Sequence, residues 1–393
     1  MPRPSLTRRQ LLMRAGALGA GAVALPGLLG TTIASAATGR SPRSRTASRR
    51  PQSGGGELYV ENWPSYIDPT EDDLIGTVDR FVEATGINLN YTEAFNDNNE
   101  YFALVQPVLG RGDTIDPDII VPTGWMAGRL IGLGWVDELP LDDIPNAANL
   151  RDDLVKPAWD PDGTFSLPWQ TGFTGLAYNV EVTGRELASI DDLFDPEFEG
   201  KVGMLTEMRD TVGLVMLSLG VDITAISTFD EAADAFAKIE KAKNDGQIRA
   251  FTGNDYLGDL ESGNFAACMA WSGDVAQLTV DNPNIRFVIP EAGGISFADT
   301  MVMPKGAAHR DEAAAWMDFV YDPVQAAQIT AWVQYASPVK GVQEEVAKID
   351  PELAENPLIF PDEEFLANVH GFANLDEETE AQFDEAFAAI VGA

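Results

Sequence analysis

Between Glu57 and Trp135 the chain switches repeatedly between two kinds of apolar spacing. "ELYVEN" (Glu57 to Asn62) reads as a strand. In "EDDLIGTVDRFVEATG", Leu74, Val78, Phe81 and Val82 fall on one helical face, and Gly86 follows as a stop signal. "INLNYTEA" reads as a second strand. "NDNNEYFALVQPVLGRG" reads as a helix with Asp and Asn near its start and a kink expected at Pro107. "DIIVPT" (Asp118 to Thr123) is short and apolar, as a strand inside a parallel sheet is, and "GWMAGRLIGLGW" is helical again. This β-α-β-α-β order predicts a parallel sheet with right-handed crossovers.

Further along the character changes. "GTFSLPWQTGFTGLAYN" (Gly163 to Asn179) predicts two strands around a turn. "FDEAADAFAKIEKAKND" (Phe229 to Asp245) is amphipathic with helical spacing. "FAACMAWSGD" (Phe265 to Asp274) predicts a buried strand breaking into a polar loop, and Asp311 to Gln334 one or two helices interrupted at Pro323. The acidic "NLDEETEAQFDEAFAAI" reads as a surface helix. No repeat is evident, and 393 residues leave room for two domains of roughly 150 each.

The first 56 residues stand apart, with nine arginines and no acidic residue. "SLTRRQLLMRAGALGAGAVALPGLLG" has a basic start and an apolar run, and "ASA" follows at Ala34 to Ala36, the layout of a secretory signal. Arg8-Arg9 before Gln10-Leu11-Leu12 matches the twin-arginine export signal. A bilayer span needs ~20 apolar residues, and this run is short, rich in Ala and Gly, and broken by Pro26. Residues 1–36 are therefore expected to be a cleaved signal. Residues 37–56, almost without apolar side chains, are expected to be a disordered tether. Export by this route implies a periplasmic or cell-surface location.

The nine arginines fall among 26 basic residues, so the remaining chain has 17 against 62 acidic ones, a formal charge of −45. Such a surface repels nucleic acid and attracts cations. Scarce lysine with abundant Ala, Asp and Glu fits adaptation to high salt; a generally acidic, solubilising surface is the other reading. With Cys268 as its single cysteine the chain has no internal disulfide, and none stands near the signal to carry a lipid.

In open parallel sheets ligands bind beyond the carboxyl ends of the strands. There the sequence repeats an unusual pairing of ring and carboxylate. Trp63, Ser65 and Tyr66 follow the first strand, and Thr123 and Trp125 follow "DIIVP". Glu207 and Asp210 follow "VGMLT", Trp271 and Asp274 follow "FAACMA", and Phe297 and Asp299 follow "IPEAGGIS"; "VQYASP" adds Tyr335. A ring at a strand end can simply close the core, and Asp210 or Asp299 could cap a helix. Their recurrence instead suggests a box for an organic cation, with π faces each contributing ~0.5–2 kcal/mol and carboxylates bonding to ammonium groups.

The same segments resemble the bacterial polyamine-binding proteins, the spermidine/putrescine receptors of ABC importers. The resemblance runs in order through "LYVENWPSYIDP", "DPDIIVPTGWMAGRL", "FSLPWQTGFTGLAYN", "FEGKVGMLTEMRDTVGLVMLSLG", "MAWSGDVAQL", "PEAGGISFADTMVMPKGA" and "YASP", over Glu57 to Pro338. It implies an α/β, two-lobed periplasmic-binding-protein type II fold, each lobe a mainly parallel sheet flanked by helices. Crossing strands join the lobes, which close on the ligand by a hinge. The expected lobes are 57–168 with 291–337, and 169–290 with 338–393. Trp63 and Tyr66 would line the cleft, Trp125 stands where Tyr is usual, and Glu207 and Asp210 match a pair of acids that engage an amine. Trp271 and Phe297 would flank the methylene chain, Asp299 would anchor an ammonium, and Tyr335 would close the box. Pro64 and Ser65 replace a Ser/Thr and an acid, leaving a hydroxyl where an acid is usual.

The expected ligand is a polyamine and the expected partner an ABC permease, for a monomer with no nucleic acid, cofactor or metal and no catalytic role. Asp274 and Asp299 are expected to grip one ammonium and Glu207 or Asp210 the other. Another small organic cation, Fe(III) or a neutral compound remain rival ligands, although His309 and His370 lie outside the motifs. A secreted hydrolase using paired carboxylates, such as Glu207 with Asp274, is the rival from another class.

Overall fold

A computed structural model describes residues 55–71 and 74–392. The expected signal and all but the last two residues of the expected tether lie outside the described residues. The strands are β1 (Glu57–Asn62), β2 (Asn88–Glu93), β3 (Ile119–Ile120), β4 (Val136–Asp137), β5 (Ser166–Asn179) and β6 (Val202–Leu205). They continue with β7 (Ile248–Thr252), β8 (Ala267–Trp271), β9 (Ile285–Val288), β10 (Gly294–Pro304) and β11 (Val369–His370). All join one sheet ordered β2-β1-β3-β10-β5-β8-β6-β7, with β4 and β11 on β10 and β9 on β5. One end, β2-β1-β3, is parallel, and so is the other, β8-β6-β7. Between them β10 and β5 run antiparallel to each other and to the neighbouring β3 and β8.

The first end forms as its spacing predicts. The helix Thr77–Thr85 buries Phe81, which meets Trp316 edge-on with centroids 5.2 Å apart. Gly86 stops it in the left-handed region at φ 73°, its N–H returning to the Val82 carbonyl. The helix Asn98–Leu109 starts where the Asp97 carboxylate accepts the N–H groups of Asn99 and Glu100. The helix Gly124–Gly132 follows β3. Later, Arg310–Val320 and Pro323–Val333 are separate helices, with Asp322 capping the second and Pro323 in its first turn, where no N–H is needed.

Four expectations are corrected. Gly163 to Asn179 is not two strands around a turn, because β5 is one fully buried 14-residue strand. Its Gly172 and Gly175 are places of close approach. A Cβ on Gly172 would stand 2.5 Å from Phe297 Cζ, and one on Gly175 2.5 Å from the Val288 carbonyl oxygen. "WSGD" is not a loop, since β8 passes directly into the helix Ser272–Asp281. Phe297 and Asp299 do not follow a strand but lie within β10, and a register shift follows Asp299. Its partner is Gln170 while Thr300 faces Pro168, so Trp169 is the extra residue of a β-bulge. The last helix, Glu377–Val391, is more than a surface helix. It buries Phe383, Phe387 and Ile390, and Phe383 packs edge-on against Phe229 and Phe236.

Candidate functional site

The segments that follow β1, β3, β6 and β8, together with the middle of β10, line a cavity of about 180 Å³. Eleven of the twelve predicted residues line it: Trp63, Tyr66, Thr123, Trp125, Glu207, Asp210, Trp271, Asp274, Phe297, Asp299 and Tyr335. Ser65 does not. It occupies a left-handed turn at φ 55°, and its N–H is donated outward to Glu93 Oε1 at 2.6 Å.

Local chemistry places each side chain. Trp63 leaves β1 and donates its indole N–H to the Val121 carbonyl at 2.8 Å, which ties the loop to the end of β3. Thr123 precedes the helix Gly124–Gly132, and buried Asn98 holds it through Thr123 N–H to Asn98 Oδ1 at 3.0 Å. Glu207 and Asp210 sit at the start of the helix Met208–Ser218, neither acting as a side-chain cap. Tyr335 follows Gln334, which ends its helix in the left-handed region at φ 56°. The Tyr335 ring meets Tyr66 edge-on at 5.0 Å and Phe297 at 6.4 Å.

The four cavity carboxylates share a design. Each accepts a hydrogen bond from an aromatic side chain of another segment. Tyr66 O–H donates to Asp299 Oδ2 at 2.8 Å, while Thr123 O–H donates to its Oδ1 at 2.8 Å. Trp271 N–H donates to Asp210 Oδ2 at 2.8 Å, with Thr174 O–H on Oδ1 at 2.9 Å. Trp125 N–H reaches Glu207 Oε2 at 3.3 Å, and Asn98 reaches its Oε1 at 3.3 Å. Tyr256 O–H and Asn254 N–H both reach Asp274 Oδ2 at 3.2 Å. Trp271 thus orients Asp210 rather than its near neighbour Asp274.

All four acids are buried, and for Asp299, Asp210 and Glu207 burial is the main force on the proton. Loss of water pushes the Asp299 carboxyl up to about 7, opposed by the Thr123 and Tyr66 donors and reinforced by Asp210 and Asp274. Loss of water likewise pushes Asp210 up to about 6, against the pull of Trp271, Thr174 and Arg209. Glu207 is raised well above the usual carboxylate range by burial, then by Asp97 and Asp210. Such a site favours a positive guest, because a cation relieves mutual repulsion among carboxylates that water no longer screens. Among the described residues no cluster of three or more His, Cys, Asp or Glu side chains stands ready to hold a metal ion.

Sequence reasoning passed over several lining residues. Asn98 and Asn254 orient carboxylates from other segments. Tyr256, outside the lining, supplies an aromatic donor to Asp274. Trp159, Phe372 and Asn374 line the cavity from segments with no strand-end signal. Arg209 also lines it, although it lies inside the "EMRD" that was read for its acids. The alternation of cation and acid in that motif was the available clue.

A sheet with two parallel ends joined through antiparallel β5 and β10 is the type II periplasmic-binding-protein fold. The chain belongs to the bacterial extracellular solute-binding protein family, whose sequence profile matches residues 76–361. It is 29% identical over 323 residues to the putrescine-binding periplasmic protein PotF of Escherichia coli K12, covering 77% of this chain and 83% of that one. It is 24% identical over 314 residues to the spermidine/putrescine-binding periplasmic protein 1 of Haemophilus influenzae, covering 80% and 83%. Among solved structures it resembles the spermidine/putrescine ABC transporter substrate-binding protein PotD of Streptococcus pneumoniae, with a TM-score of 0.70 and 25% identity. That match covers 86% of this chain and 98% of that one.

Proposed function

We propose that the protein captures a polyamine of the putrescine/spermidine class outside the cytoplasm and delivers it to an ABC importer. The observation that carries this reading is the set of four buried carboxylates, each oriented by an aromatic donor, around one cavity. An aliphatic polyamine needs acids at its charged ends and apolar walls along its methylenes; the rings form the walls and orient the acids. At about 0.8 kcal/mol per buried CH2, four methylenes contribute about 3 kcal/mol, so discrimination rests on the acids. The names of the relatives agree with this class of ligand.

In this reading Asp274 and Asp299 receive one ammonium, Glu207 or Asp210 receives another, and Trp63, Tyr66, Trp271, Phe297 and Tyr335 form the walls. The expected lobes, 57–168 with 291–337 and 169–290 with 338–393, close by bending β5 and β10. Export follows the twin-arginine route, and the protein acts as a monomer without catalytic activity. The test is thermal denaturation with putrescine, cadaverine, spermidine and spermine, followed by calorimetry on whichever amine shifts the midpoint. A ligand at 1,000 times its Kd stabilises the fold by about 4 kcal/mol, which a melting curve resolves. A midpoint unmoved by millimolar concentrations of every amine would refute the reading.

A further inference from the structure

The cavity wall contains its own cation. Arg209 lies in the first turn of its helix, between Glu207 and Asp210, and is buried. A guanidinium at that position competes directly with a ligand ammonium, since both are satisfied by the same carboxylates. The structure holds it elsewhere. Arg209 Nη2 pairs with Glu380 Oε1 at 2.6 Å, and both side chains are nearly buried, at 8% and 12% exposure. The guanidinium carbon stands 3.9 Å from the centroid of the Trp125 ring and 5.9 Å from that of Phe372. The Trp125 face is therefore taken by Arg209, while its N–H orients Glu207. Arg209 Nε has no hydrogen-bond partner, so the grip depends on the Glu380 contact and the ring faces.

Glu380 comes from the helix Glu377–Val391, far along the chain from the motifs that build the cavity. Its partner is the one basic side chain lining the cavity among the described residues. We propose that Glu380 is a positioning residue for ligand binding, which holds Arg209 against Trp125 and away from Glu207 and Asp210 so that a ligand ammonium can use those acids. The proposal rests on the polyamine reading and adds to it an internal competitor, kept aside by the C-terminal helix. Without Glu380 the guanidinium keeps its charge, loses its partner in a nearly dry setting, and turns to the carboxylates its charge already acts on, Glu207 and Asp210 in the cavity and Asp384 one turn on from Glu380. The first two are acids the ligand needs.

The test is putrescine titration by calorimetry of the wild type, Glu380→Gln and the double variant Arg209→Gln/Glu380→Gln, with melting curves alongside. Glu380→Gln is expected to bind putrescine at least tenfold more weakly, and the double variant to regain at least tenfold of affinity over the single one. A merely structural role gives the opposite pattern, because removing both partners restores no contact. Wild-type affinity in Glu380→Gln, or a double variant as weak as the single one, overturns the proposal. Should Glu380→Gln not fold, the double variant decides alone. Affinity within tenfold of the wild type supports the positioning role, and a greater loss overturns it. A wild-type protein that binds none of the four amines removes the polyamine reading and this proposal together, whereas wild-type binding with an unchanged Glu380→Gln removes only the latter.

Discussion

Asp299 concentrates the chemistry of the cavity in one side chain. Two hydrogen bonds of 2.8 Å from Tyr66 and Thr123 hold it as an acceptor, yet burial pushes its carboxyl up to about 7. The folded protein therefore binds this proton more tightly than the unfolded chain, where the value is near 3.8. The empty protein loses stability on this account as pH rises from about 4 to about 7, by on the order of 4 kcal/mol at about 1.4 kcal/mol per unit. A cationic ligand reverses the preference, because it binds the ionised form. Putrescine affinity is expected to rise about tenfold per pH unit as pH increases from about 5.5 to about 7, then to level off. Asp299→Asn should weaken binding tenfold or more and make that slope shallower, leaving the share that comes from ionising Asp210 and Glu207. Calorimetry across this range checks both, and an affinity independent of pH in the wild type contradicts the assignment. That Asp299 is a cavity residue was legible in "FADT", but its partners were not, because Tyr66 lies 233 residues away along the chain.

At the scale of elements, two glycines decide how closely the rings can gather. Gly172 in the middle of β5 lets Phe297 and Tyr335 meet over the strand, where a Cβ would stand 2.5 Å from Phe297 Cζ and 3.0 Å from Tyr335 Cδ1. Gly273, in the first turn after β8, likewise leaves room for the Tyr335 ring. Gly172→Ala is expected to destabilise the fold by about 1–3 kcal/mol as the rings are forced aside, and to weaken putrescine binding as well. Denaturant melts and calorimetry on this variant check the prediction, and unchanged values in both would show that the rings move aside freely. These glycines explain which elements were legible from sequence. Short-range signals gave the helices at the first end of the sheet, because Gly86, Asp97 and the apolar spacing act within a turn or two. The same signals misread β5 as a hairpin, because "TGFTG" looks like turn chemistry when the rings it accommodates are unseen. Asp299 was placed at a strand end for a related reason. The bulge at Trp169 is set by pairing between β5 and β10, and nothing within either segment announces it.

For the whole molecule, the sheet makes two distant stretches of chain share one cavity. Tyr66, Thr123 and Asp299 belong with β1, β3 and β10, whereas Glu207, Asp210, Trp271 and Asp274 belong with β6 and β8. Only β5 and β10, running side by side, connect the two sets through the order of the sheet. The cavity acids are sheltered there from bulk ions, but most of the net charge of −36 is not. That separation predicts two different responses to salt. Repulsion among exposed acids falls as the Debye length shrinks from about 10 Å at 0.1 M to about 3 Å at 1 M, so the empty protein should melt several degrees higher in 1 M NaCl. Putrescine binding should weaken far less than the surface charge alone suggests, by under about tenfold, because the contacts with buried acids are poorly screened. Melting curves and titrations at 0.1 and 1 M NaCl measure the two effects separately. A melting point that falls with salt would mean that exposed ion pairs such as Arg185–Asp192 outweigh the repulsion. An affinity that collapses would mean that the acids holding the ligand are open to solvent.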